Sequence, residues 1–86
     1  MEQVIVVPDH HPEKGLHFLW DEGYEIAVSV SRSEVVIKGN RAGLTSLARH
    51  LLTLAQEDSR YGHHVHLTAD QEIESEVDLI LERGED

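Results

Sequence analysis

The stretch 39–68 decides the fold: it opens with Gly39-Asn40-Arg41-Ala42-Gly43-Leu44 and closes with Gly62-His63-His64-Val65-His66-Leu67-Thr68. Its opening glycine ends a β-branched run, and Asn40 suits a helix N-cap because its side-chain oxygen can accept from the free amide groups of the first turn. Its closing segment alternates apolar and polar residues, as does a strand with one buried face. This stretch therefore predicts a strand, a helix and a second strand in succession.

The middle of the stretch predicts a long amphipathic helix. Apolar residues recur at helical spacing for about 17 residues, which is longer than an average helix. We expect this apolar face to pack on a sheet and the polar face to point outward. The expected buried residues are Leu44, Leu47, Ala48, Leu51 and Ala55, and the expected outward residues are Ser46, Arg49, His50 and Glu57.

Further strands are predicted on both sides of the helix. Four precede it, over 4–7, 16–20, 24–31 and 35–37, and two follow it, over 63–68 and 76–83, where Val77, Leu79 and Leu81 are expected to be buried. The order β-β-β-β-α-β-β predicts an α+β fold, a mostly antiparallel sheet with the helix packed on one face. We expect a single small domain over residues 1–86, in which residues 84–86 form a frayed tail.

Composition excludes several classes of function. The 86 residues include 17 Asp and Glu against 7 Lys and Arg, a formal charge of -10, which repels nucleic acid and anionic membranes. No cysteine is present, so there is no disulfide framework or thiolate nucleophile. No apolar run approaches the length of a membrane span, and the first residues do not form a signal peptide. A cytoplasmic protein without nucleic-acid or membrane partners is the expectation.

Catalytic and metal-binding motifs are weak. His64 and His66 would lie on one face of a strand and could share a metal ion, but zinc needs further donors, for which Asp78 and His50 are the candidates. The segment 39–43 lies where a helix N-terminus could hold an anion, but it lacks the Lys and Ser or Thr of a P-loop. No serine stands in a motif with a histidine base. We expect neither enzymatic activity nor a cofactor.

The clearest candidate for a partner-binding surface is acidic. Residues 70–86 carry eight acidic groups and one basic group, so this segment accounts for -7 of the charge. Five of the acids fall on every second residue, and an extended backbone would place them on one side as a negative stripe. They are Asp70, Glu72, Glu74, Glu76 and Asp78. Charge runs usually form a solvated loop and the solvent-facing side of a strand; the alternative hypothesis is that this stripe docks a basic protein.

Residues 24–83 resemble the immunity protein 32 family of bacterial polymorphic toxin systems. The resemblance lies in Gly39-Asn40 with Gly43-Leu44, in the leucine and alanine pattern of the helix, in the strand 64–67 and in the closing apolar strand. In that family an acid commonly follows the His-Val-His-Leu run, whereas this chain has Thr68. Residues 1–20 lie outside the resemblance.

The resemblance implies a non-enzymatic binder that is made beside a toxin and neutralises it by occupying or distorting its active surface. Many such toxins are basic, so an acidic inhibitor would associate faster with them. Two other classes stay open: a metal-binding domain that uses His64 and His66, and a general protein-interaction or oligomerisation module. A homodimer also stays open.

Overall fold

The computed structural model describes residues 1–8, 18–57, 59 and 61–85. Within them the chain has mixed α+β content, as predicted. Two strands precede one helix and three follow it. The elements are β1 (Ile26–Val30), β2 (Val35–Gly39), α1 (Arg41–Leu54), β3 (His64–Leu67), β4 (Glu74–Ser75) and β5 (Leu79–Glu82).

The strands form two small sheets instead of the single sheet that was predicted. One has the order β2-β1-β4, in which β1 is antiparallel to β2 and parallel to β4. The other pairs β3 with β5 in antiparallel orientation. The parallel pair arises because β4, which follows the helix, returns beside β1. The arrangement therefore differs from the single, mostly antiparallel sheet that was expected, although the antiparallel hairpin β1-β2 agrees with it.

The N-terminal strands are the second difference. Residues 4–7 and 18–20 are irregular, and residues 16 and 17 of the predicted second strand lie outside the described part of the chain. Side chains of α1 and of the turn that follows it hold the N-terminal segment, since Arg49 Nε donates to the Val6 carbonyl at 3.0 Å and Gln56 Nε2 to the Pro8 carbonyl at 2.8 Å. These contacts satisfy backbone acceptors without a strand ladder.

One hydrophobic core joins the helix and both sheets. Its members come from β1, α1, β3 and the segment before β4, and each is at most 8% exposed. They are Ile26, Val28, Leu47, Leu54, Val65, Leu67 and Ile73. Burial of large aliphatic side chains stabilises a fold by about 1.5–3 kcal/mol each, so this shared core is what holds the two sheets together.

The helix is rotated relative to the sequence prediction. Leu47 is buried, but Leu44 and Leu51 are 51% and 53% exposed, while Ser46 and His50 are fully buried. The cause is a close approach at Gly43, where a β-carbon would collide with the backbone carbonyl of Glu25. This contact fixes which face of α1 lies against β1. The prediction that Ser46 and His50 point outward was wrong.

Two element ends also differ from their predicted positions. Helix α1 has 14 residues and ends at Leu54, short of the expected 17. The last strand begins at Leu79, and Val77 is 46% exposed instead of buried. The backbone amide of Val77 donates to Ser75 Oγ at 3.1 Å, in a bend between β4 and β5.

In the described part of the chain, no helix has the length and apolar character needed to cross a membrane.

Candidate partner-binding surface

The alternating acids do not form one continuous stripe. A turn interrupts them, in which the Asp70 amide donates to the Ile73 carbonyl at 2.9 Å and the Gln71 amide to the Thr68 carbonyl at 3.1 Å. Asp70 has a φ of 62°, in the left-handed region that Asp and Asn tolerate better than most residues. Because the backbone turns here, every-second-residue spacing no longer places the carboxylates on one side.

Two of the five carboxylates are bonded within the protein. Glu72 Oε1 accepts from the Thr68 amide at 3.0 Å, and Asp78 Oδ1 accepts from the Ala69 amide at 2.8 Å. Asp78 Oδ2 lies 2.7 Å from His66 Nε2. The Ala69 amide, followed by the His66 ring, lowers the pKa of Asp78 because both favour the charged carboxylate. These two acids stabilise the turn between β3 and β4.

The other three carboxylates line a concave surface, which we name the acidic groove. Its floor is Ala27 and Ser29 on β1, and its acidic wall is Asp70, Glu74 and Glu76, which Glu72 and Glu25 extend at the Ala27 end. Val36 and Lys38 on β2 form the opposite wall. The part over Ala27 has a volume of about 800 Å³ and the part over Ser29 about 550 Å³.

The sheet register explains why this surface is concave. Ala27 lies directly between Lys38 on one side and Glu74 on the other, and Ser29 lies opposite Val36. Directly opposite residues share a face of the sheet. Small residues on the central strand between longer ones on its neighbours leave a channel, and the acids along one side give it a negative wall.

The groove continues past the point where β4 leaves β1. The two strands pair only at Ala27 with Glu74 and at Val28 with Ser75. Beyond that point Val30 of β1 and Val77 line a space that Glu76 borders. A side chain with an apolar stem and a cationic end matches this combination of surfaces, because Lys and Arg bury their stems while their charged groups stay solvated.

The two strand histidines lie on the exposed face of the β3-β5 sheet, as their alternation predicted. His64 Nδ1 lies 3.2 Å from the Gly62 carbonyl, and His66 contacts Asp78. His50, the other proposed metal donor, is buried in the core. Within the described ranges no group of three or more His, Asp or Glu side chains is placed to hold a metal ion.

Asn40 joins the helix to the start of β1. Its Oδ1 accepts from the amides of Gly43 at 2.8 Å and Glu25 at 3.0 Å, and its Nδ2 donates to the Gly23 carbonyl at 2.9 Å. The side chain therefore caps α1 and also fixes the backbone that enters the acidic groove. The Gly43 amide already has an acceptor, which leaves it unavailable to a bound anion.

His50 is the residue that sequence reasoning placed least well. It is fully buried between Phe18 and Trp20, with ring centroids 5.3 and 4.4 Å away, and neither ring nitrogen has a hydrogen-bond partner in the part of the chain that the structure describes. Burial, with a smaller contribution from Arg49, lowers its pKa to about 4. His50 follows Gly43 by seven residues, and residues at this spacing lie on the same face of a helix. This spacing was the signal in the sequence that His50 faces the core.

A comparison with protein families bears on these surfaces. The sequence model of immunity protein 32 matches residues 34–84, which is more than half of the chain. This chain belongs to the immunity protein 32 family. The resemblance inferred from sequence is thereby confirmed. Comparisons with curated proteins and with solved structures found no match.

The family match covers the acidic wall of the groove but not its floor. It includes β2, α1 and the strands that follow the helix, and so it covers the acidic wall of the groove. Strand β1, which provides the floor, lies before the matched region. Immunity proteins are generally non-enzymatic binders, which agrees with a surface built from carboxylates and small side chains.

Proposed function

We propose that this immunity protein neutralises a cognate bacterial toxin by direct binding and that the acidic groove is its contact surface. The observation that carries the proposal is that Asp70, Glu74 and Glu76 line one concave sheet face, while Glu72 and Asp78 are occupied by internal hydrogen bonds. The contact set is thus narrower than the five acids that the spacing suggested.

The partner is expected to be basic. The chain carries a formal charge of -10, and a field of this sign speeds association with a positive surface by factors of about 10–10³. A toxin that acts on nucleic acid would itself present Lys and Arg to phosphates. An acidic inhibitor that covers this surface blocks the substrate without catalysis of its own, and it acts in the cytoplasm of the producing cell.

Co-expression tests this function. The chain is produced in a susceptible cell together with the toxin domain encoded next to its own gene, and growth is compared with cells that make the toxin alone. We expect growth to be restored. Continued killing, with the protein folded and abundant in the cell, would contradict the immunity function.

A pair of matched variants then tests the surface. The groove variant D70N/E74K/E76K and the control E22Q/E82K/E85K change the formal charge equally, and the control residues are exposed and outside the groove's acidic wall. Asn is used at position 70 because it tolerates the positive φ there. We expect the groove variant to lose protection and the control to keep most of it. Equal loss in both would show that only net charge matters.

A further inference from the structure

Strand β2 is an edge strand with an unusual surface. It pairs with β1, and no other segment of the described chain pairs with it. Its side chains are exposed on both faces: Val35 is 63% exposed, Val36 47% and Ile37 41%. Soluble proteins commonly protect such an edge with a bulge, a proline or a covering segment, because unpaired backbone groups invite another strand. The edge 35–37 has no proline.

The ladder with β1 shows which backbone groups face outward. The Ser31 amide donates to the Glu34 carbonyl at 2.9 Å, and the Asn40 amide donates to the Glu25 carbonyl at 3.2 Å. Bonded and non-bonded pairs alternate in an antiparallel ladder, so the intervening register directs the backbone groups of Val36 toward β1. The amide and carbonyl groups of its two neighbours, Val35 and Ile37, point away from the sheet.

The charges at the two ends of this edge are self-complementary. The sequence 34–38 reads Glu-Val-Val-Ile-Lys, with an acid at one end and a base at the other. In an antiparallel pair of two copies centred on Val36, Val35 lies opposite Ile37 of the second copy, and Glu34 lies opposite its Lys38. The outward backbone groups then form bonded pairs, and each end brings opposite charges together at cross-strand distance.

We propose that this edge is a homodimer interface, in which β2 of one protomer pairs antiparallel with β2 of a second copy. The β2-β1-β4 sheets of the two protomers then form one continuous sheet, with a two-fold axis between the two copies of Val36. Each protomer uses the same surface, so the contact is isologous, as in most homodimers. The local charge supports a second copy of this chain as the partner of β2. Residues 31–41 carry three basic groups and one acid, so this edge lies in a far less acidic part of a chain whose charge is -10.

Charge exchange between the paired positions tests the interface. The full chain is measured by size-exclusion chromatography with light scattering over a concentration series, with thermal unfolding as a check on folding. We expect the wild-type mass to rise toward that of two chains. K38E places Glu opposite Glu twice, and E34K places Lys opposite Lys twice, so each should weaken the dimer by about tenfold.

The double variant E34K/K38E restores opposite charges and should dimerise like the wild type. An equimolar mixture of the two single variants should form a heterodimer, because every charge then meets its opposite across the interface. A wild-type protein that keeps the mass of one chain at all concentrations would overturn the proposal. So would a dimer whose stability does not change in K38E and E34K, since it would use another surface, such as the exposed leucines of α1.

Discussion

Two sets of carboxylates in the segment 70–78 have the same spacing in sequence and different roles in the structure. Glu72 and Asp78 accept backbone amides and stabilise the turn after β3. Asp70, Glu74 and Glu76 line the groove and make no side-chain hydrogen bond or ion pair within the described ranges. A carboxylate with internal hydrogen bonds has part of its acceptor capacity occupied and its orientation fixed, so we expect free carboxylates to be the better contact residues.

The largest expected effect is on toxin binding by the groove variant D70N/E74K/E76K. Because it replaces attraction with repulsion at the contact, we expect its association rate to fall by about tenfold or more relative to wild type. The control E22Q/E82K/E85K should be affected far less, since its charges lie elsewhere. Stopped-flow measurement of both variants against the purified toxin domain checks this. A control that is slowed as much as the groove variant would show that net charge, and not the position of the acids in the groove, sets the association rate.

The buried His50 makes the stability of the protein depend on pH. Its pKa is about 4 in the folded protein against 6.5 when unfolded, so the unfolded state binds more protons between these values. The contribution of His50 to the free energy of unfolding is fully present above pH 6.5 and is lost as the pH drops toward 4. The total loss is about 3 kcal/mol.

Denaturant unfolding at a series of pH values measures this loss. The variant H50L removes the titrating group, so its free energy of unfolding should change little across that window, whereas the matched variant H64Q, at an exposed histidine on β3, should follow the wild type. The lowered pKa of Asp78 acts elsewhere, because its contribution is lost only as the pH falls below the ordinary value of 3.8. An unchanged slope in H50L would show that His50 does not remain neutral in the core.

The smallest effects are expected for the bonded carboxylates. In D78A the Ala69 amide and the His66 ring lose their acceptor, and in E72A the Thr68 amide loses its acceptor. We expect each variant to melt at a lower temperature than wild type and to bind the toxin with the same affinity. Scanning calorimetry and a binding titration check the two parts. Lost affinity in a variant that melts normally would move that residue into the contact surface.

The sequence predicted those elements whose signals are local. The start of α1 follows from Asn40 after a strand, and the alternation in β3 follows from Val65 and Leu67 between histidines, which the structure places inside and outside respectively. The family assignment depends on the same residues and is confirmed over 34–84. These features need no information on distant contacts.

The features that sequence reasoning missed depend on distant contacts. The inward face of α1 is fixed by the approach of Gly43 to the Glu25 carbonyl, and this contact buries His50 and exposes Leu44 and Leu51. Hydrophobic periodicity alone favoured the leucines. The turn within the series of alternating acids was missed for a similar reason, because it depends on the hydrogen bond from Asp70 to Ile73 and on a positive φ that spacing does not reveal.

The most direct test of the central claim is the salt dependence of toxin association. The association rate of wild type, the groove variant and the matched control is measured against the same toxin domain over a range of ionic strength. We expect a steep decrease with salt for wild type and control, and a much weaker dependence for the groove variant, because screening acts on charges that approach each other. The same steep dependence in the groove variant would contradict a toxin contact at Asp70, Glu74 and Glu76.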